Sequence, residues 1–294
     1  MKHILTVCLV LMSVSLIAQK SAELGILLGA STYDGDLSPE NSAFDIDQYR
    51  PAFAFFYRYN ANRFLGIKAS FAYGEITADD AHSNIEAKQQ RNLNFHSNIL
   101  ELGLTGELNL LGFAPGRAGS RFSPYLFGGV SFFRFNPRTE YQGQTVDLQP
   151  LGTEGQGIDG FDDPYSLTQI AIPFGGGIKY AITDRINIGL EVGFRKTFTD
   201  YLDDVSGVYV DYNTLSTNNG KLAADLSNRT GEFFGTEPVD VPGGTPRGNP
   251  NKDDWFFIGG FTLSYTIFSQ SQNGLSGHGG KYKGQGKGFG CPKF

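Results

Sequence analysis

The sequence predicts an all-β chain: a transmembrane antiparallel up-and-down β-barrel, most simply of eight strands, with long extracellular loops. Three observations predict it. Period-2 hydropathy runs recur along the chain, the polar phase of those runs is rich in glycine, and aromatic residues gather at the run ends. Composition agrees. The 294 residues are 40% hydrophobic and 14% aromatic, with 39 glycines and a mean hydropathy of -0.23. That is too apolar for global disorder and too poor in helical heptads for a coiled coil. A formal charge of -6 argues against a nucleic-acid partner, and two cysteines exclude a disulfide scaffold or a Cys-based zinc module.

Residues 1–18 have the build of a secretory signal peptide. Met1-Lys2-His3 is a short basic start. Ile4 to Ile17 is apolar apart from Thr6, Ser13 and Ser15, and polar residues follow Ala18-Gln19 at once. Leu5-Thr6-Val7-Cys8 looks like a lipoprotein box but comes too early, with the apolar run continuing past it. No later segment approaches ~18 consecutive apolar residues, so a membrane helix is not expected. The exported chain is then soluble, or it crosses a membrane as strands.

Eight runs alternate, near 22–33, 49–59, 64–76, 94–108, 123–135, 169–181, 186–198 and 254–268. In the seventh, Ile186, Ile188, Leu190, Val192 and Phe194 alternate with Asn187, Gly189, Glu191, Gly193 and Arg195. In the fourth, Leu100, Leu102, Leu104 and Leu108 oppose Glu101, Gly103, Thr105 and Glu107. The fifth is apolar in both phases: Tyr125, Phe127 and Phe133 stand against Leu126, Val130 and Phe132. A soluble sandwich would turn the apolar phase to its core, whereas a membrane barrel turns it to lipid. Run length favours the barrel, because a tilted spanning strand needs ~9–11 residues and soluble strands average ~5–6. So do the end aromatics Tyr33, Tyr49, Tyr57, Tyr59, Phe64, Tyr125, Phe135, Tyr180, Phe198, Tyr201, Trp255 and Phe268, read as interfacial girdles.

Connections alternate short and long. Asn60–Arg63 and Thr183–Arg185 are tight, 109–122 is intermediate, and 34–48, 77–93, 136–168 and 199–253 are long. Short periplasmic turns and long external loops place both termini in the periplasm. A further hairpin around Val208–Leu215 would raise the count to ten.

On this register Glu23, Glu101, Glu107 and Glu191 point inward together with Arg50, Arg58, Lys68, Lys179 and Arg195. The interior of an eight-stranded barrel is just wide enough for side chains to fill. Unpaired charges there would be costly, so an ion-pair network plugging the lumen is expected. Residues 19–268 carry 19 Lys/Arg and 30 Asp/Glu, a net of -11, whereas 269–294 carries four lysines and no acid. That tail has eight glycines and reads as a flexible basic periplasmic arm. It bears Cys291, the thiol left once Cys8 is removed with the signal peptide. Cys291 is either a partner-binding disulfide candidate or an incidental free thiol.

Signs of chemistry are few. His82, His96 and His278 lack metal-site spacing, and Gly128-Gly129 and Gly175-Gly176-Gly177 lie inside strands rather than in a phosphate loop. The acids of 159–163 and Asp200-x-x-Asp203-Asp204 lack the ligand spacing of a calcium loop and read as solvated acidic loops. No catalytic, cofactor or metal site and no small-molecule substrate is expected.

Several stretches together resemble the PorG family of outer-membrane barrels in the type IX secretion machinery of Bacteroidota. They are Glu23-Leu24-Gly25 through Tyr33-Asp34-Gly35-Asp36-Leu37, then Tyr57-Arg58-Tyr59-Asn60 with the strand from Phe64 to Tyr73, and Ile99-Leu100-Glu101-Leu102 with Glu107. Further on come Ser123-Pro124-Tyr125 with Gly128-Gly129, Arg195 through Thr199, Tyr201-Leu202-Asp203-Asp204-Val205-Ser206-Gly207 and Cys291-Pro292-Lys293-Phe294. The resemblance spans the mature chain. It implies a non-enzymatic component that links a periplasmic ring, a lipoprotein and its partner of the PorK and PorN kind, to the outer membrane. A tail thiol bonded to a ring subunit would fit that role. A generic structural or adhesion barrel and a porin are the alternatives. The first leaves the basic cysteine-bearing tail unexplained, and the second requires an open lumen.

Overall fold

The computed structural model describes residues 20–38, 48–116 and 119–269. The expected signal peptide, Cys291 and the tail beyond Ser269 lie outside the described residues. Eight long strands form the barrel: β1 (Ser21–Asp34), β2 (Arg50–Asn60), β3 (Leu65–Asp79), β4 (Asn94–Asn109), β5 (Phe122–Arg134), β8 (Thr168–Ala181), β9 (Ile186–Thr197) and β10 (Trp255–Ser269). Between β5 and β8 stands a short hairpin, β6 (Pro137–Tyr141) and β7 (Gln144–Asp147). Each barrel strand pairs antiparallel with its neighbours, and β1 closes the ring on β10 from Ser21↔Ser269 to Asp34↔Trp255. Closure leaves none of the eight barrel strands with a free edge, which allows them to be solvated by hydrocarbon. Even the shortest, the 11 residues of β2, is long enough to cross. At ~3.3 Å per residue and a ~40° tilt it covers about 28 Å.

The alternation resolves as two faces of one wall. Leu24, Leu28, Phe55, Leu102, Phe132 and Phe261 stand out from it, Phe261 with 75% of its surface exposed. Each such side chain is worth about 1.5–3 kcal/mol when removed from water. A wall of them facing water would forfeit on the order of tens of kcal/mol, which lipid restores. The fifth run, undecided from its sequence, turns Leu126, Val130 and Phe132 outward and buries Tyr125, Phe127 and Phe133.

Two expectations need correction. The added hairpin is not at Val208–Leu215. Val208 makes a single bridge to Pro246, and Tyr212–Asn218 is helix α2, whose Leu215 packs on Ala223 and Ala224 of α3 (Lys221–Ser227). The extra strands are β6 and β7, attached to β4 through His96↔Arg138 and Ser97↔Pro137. The girdle also loses members. Tyr33, Tyr125 and Phe135 are buried inside, and Tyr201 stacks 4.6 Å from Tyr165, while Tyr49, Tyr57, Tyr180, Phe198 and Phe268 are exposed. The long connections also carry structure of their own. With the short helix α1 (Glu86–Arg91) and α4 (Thr230–Phe234), they build a cap on the barrel end opposite Ser21 and Ser269. Its core joins Leu37, Phe135, Leu202, Val205 and Leu226 to Tyr33, Phe95, Phe133 and Phe256 from the strands.

Candidate functional site: the bore and its cap

The inward phase delivers charges from different strands to one level, toward the end where β1 starts and β10 finishes. Arg58 Nη1 lies 3.0 Å from Glu23 Oε2, and its Nε lies 2.8 Å from Glu107 Oε2. Lys179 Nζ reaches Glu107 at 3.1 Å and Lys68 Nζ reaches it at 3.7 Å. Lys68 also holds both oxygens of Glu191, at 2.6 and 2.7 Å. Tyr125 donates to Glu191 at 2.7 Å, and Ser264 donates to Glu23 at 2.8 Å. This connected set draws at least one side chain from every barrel strand: Glu23 (β1), Arg58 (β2), Lys68 (β3), Glu107 (β4), Tyr125 (β5), Lys179 (β8), Glu191 (β9) and Ser264 (β10).

Three cations face three anions, so the layer is neutral. Each charge has lost its water, which is tolerable only because several partners replace it. Aromatic faces add to the cations' partners: Lys68 Nζ sits 4.7 Å from the Phe127 ring, and Lys179 Nζ sits 4.7 Å from Tyr125 and 5.0 Å from Phe113. Phe113, on the β4–β5 connection, is almost fully buried.

Nearer the cap a second pair joins Arg195 to Glu101 at 3.2 Å, and Arg195 also donates to the carbonyls of Gly193 and Ile258. Between the two layers remains a cavity of about 20 Å³, lined in part by Phe56, Lys68, Glu101, Phe127, Glu191 and Arg195. That is room for about one water. Of the nine charges expected inside, Arg50 is the exception. It stands at the mouth, about a third exposed, 3.6 Å from Glu75. Its strand phase is inward, but the barrel wall no longer encloses it at that height. The aromatic and hydroxyl partners Phe127, Tyr125 and Ser264 were not read from the sequence, because the both-phase-apolar fifth run hid the first two.

The cap has its own polar framework. Arg247 Nη1 lies 2.8 Å from Glu154 and donates to the Asp204 carbonyl, while its Nε donates to the Ser227 carbonyl. Arg91 pairs with Asp80 at 2.7 Å and donates to the Arg247 carbonyl. Asp204, in the left-handed region at φ 66, accepts from Thr153 and Tyr165. Burial pushes its carboxyl up to about 6, against the pull of Arg247. The segment expected as a solvated acidic loop is therefore a buried structural element. The acids of 159–163, by contrast, are exposed.

Fold and site together define a closed eight-stranded barrel with a lipid-facing wall, a filled bore and a capped mouth. The chain belongs to the family described as "Domain of unknown function (DUF6089)", whose profile matches residues 2–225. A comparison with curated proteins finds no match. Among solved structures the chain is similar to Ail of Yersinia pestis in complex with the heparin analogue sucrose octasulfate. The identity is 10% and the TM-score 0.38, over 85% of this chain and 99% of that one. It is similar also to the outer membrane protein OprG of Pseudomonas aeruginosa, at 12% identity and a TM-score of 0.38 over 84% and 96%. Neisserial surface protein A matches at 8% identity and a TM-score of 0.39 over the same shares.

Proposed function

We propose that this chain is a non-enzymatic outer-membrane barrel that serves the type IX protein secretion machinery as an anchor, linking a periplasmic ring complex to the membrane. The observation that carries the anchoring role is the neutral ion-pair layer tying all eight strands together across the bore. A barrel cross-braced in this way is suited to bearing load and unsuited to conducting solute. An eight-stranded barrel with short turns at the terminal end would present both termini to the periplasm. The basic tail with Cys291 would then reach the ring lipoprotein and its partner, of the PorK and PorN kind. The machine assignment itself rests on the resemblance of the ordered stretches from Glu23 to Phe294. The filled bore weighs against a porin.

Affinity purification of the tagged protein from native outer membranes, with mass spectrometry of what accompanies it, tests the reading. Two ring subunits should co-purify, and a partner-sized adduct on non-reducing gels should vanish in Cys291→Ser. Purification of the barrel alone would overturn the machine role and leave a plain structural or adhesion barrel.

A further inference from the structure

Where the cap meets the barrel, the hydroxyl of Tyr33 at the end of β1 lies between two carboxylates. It donates to Asp203 and stands 3.4 Å from Asp254 Oδ1. Asp203 follows β9 and Asp254 directly precedes β10, so the two acids close the long β9–β10 connection at its base. Both are buried, Asp254 completely. Backbone amides of Leu37 and Val205 donate to Asp203 at 3.1 and 2.9 Å, and that of Leu202 donates to Asp254 at 2.9 Å. One phenol proton serves one acceptor well and leaves the second carboxylate short.

The surrounding charges do not relieve this. Asp36 and Asp200 are close, and both are acids that bring no positive charge. The cap's cations are committed elsewhere: Arg91 to Asp80, Arg247 to Glu154, Lys252 to Asp34, and Lys88 to the Ser38 carbonyl. Neighbouring Asp204 is turned away to Thr153 and Tyr165. Among the described residues no three acidic, histidine or cysteine side chains converge as a metal site would require. Buried like charges this close do not both ionise readily, and a proton is the remaining neutralising agent.

We propose that Asp203 and Asp254 form a proton-binding site that latches the cap to the barrel mouth, closed in acid and loosened in alkali. Burial raises the Asp203 carboxyl against the hydrogen bond from Tyr33, and it raises Asp254 further with the help of Asp203 and Asp200. Burial likewise pushes Asp200 up to about 8. These acids hold their protons more tightly in the closed cap than in an open one. Closure is therefore strongest below the ordinary carboxylate range of about 4 and weakens as pH rises through neutrality.

Hydrogen exchange of the full chain in detergent micelles at pH 5.5 and 8.5, corrected for intrinsic exchange rates, tests the latch. Peptides over 199–206 and 250–256 should exchange about tenfold faster at the higher pH, one decade per pKa unit lost. Asp203→Asn or Asp254→Asn, uncharged and of the same shape, should each flatten that dependence. Heat-modifiable migration of the same samples reports that the barrel is folded, and either variant suffices should the other fail it. Equal protection at both pH values in the unaltered chain overturns the proposal. So does protection that follows added calcium or a chelator at fixed pH, which would make the site a cation site.

Discussion

Lys68 and Glu191 meet across the full width of the bore. The lysine Nζ lies 2.6 and 2.7 Å from the two carboxylate oxygens, and their strands, β3 and β9, are four steps apart in either direction around the ring. The pair is a crossbar, and Glu107 is the hub that joins it to Arg58 and Lys179.

Glu107→Gln leaves three buried cations facing two carboxylates. Breaking a buried pair from one side costs about 3–5 kcal/mol. Urea unfolding in liposomes, followed by the single tryptophan Trp255, should show a loss of that size. Lys68→Met combined with Glu191→Leu removes both charges of the crossbar and should cost less than the two single changes added together.

The closing seam depends on close backbone approach. Gly29 pairs with Gly260, and a Cβ at Gly29 would stand 1.9 Å from the Gly259 carbonyl oxygen. Gly29→Val should prevent β1 from meeting β10, so that the heat-modifiable folded band is lost on refolding into detergent.

Much of this architecture is legible in the sequence because strand alternation is local. Leu100, Leu102 and Leu104 against Glu101, Gly103 and Thr105 fix the wall and the bore within a few residues. Inward charges follow from the same phase, and Arg58, Lys68, Glu107 and Lys179 fall where alternation puts them. What is not legible depends on distance in the chain. Tyr125 and Phe127 gain their inward direction from Glu191 and Lys68, residues some 60 positions away. Asp203 and Asp204 read as solvated because clustered acids without calcium-loop spacing ordinarily face water, yet Tyr33 and Thr153 bury them from 170 and 51 positions off. Around Val208–Leu215 the pattern of Val208, Val210 and Leu215 is compatible with strand or helix, and only packing of Leu215 on Ala223 and Ala224 decides it.

Two layers of ion pairs separated by room for about one water should not conduct. Planar bilayers containing the purified monomer should show no stable conductance steps. Discrete, reproducible openings would mean that the bore rearranges in the membrane.

The cap should loosen without the barrel. Arg247 joins Glu154, the Asp204 carbonyl and the Ser227 carbonyl. Arg247→Met takes the buried cation from Glu154, leaving it only the Ser206 and Gly207 amides and the Tyr201 hydroxyl, and frees the β9–β10 connection. Limited proteolysis should then cut within 199–253 at least several-fold faster, while heat-modifiable migration is unchanged.

The account turns on the wall of Leu24, Phe55, Leu102, Phe132 and Phe261 facing hydrocarbon. Refolding the mature chain with and without lipid vesicles tests this most directly. With vesicles, the account predicts a heat-modifiable, protease-resistant barrel that floats with the lipid; without lipid or detergent, it predicts aggregation. A folded, water-soluble monomer obtained without either would contradict it.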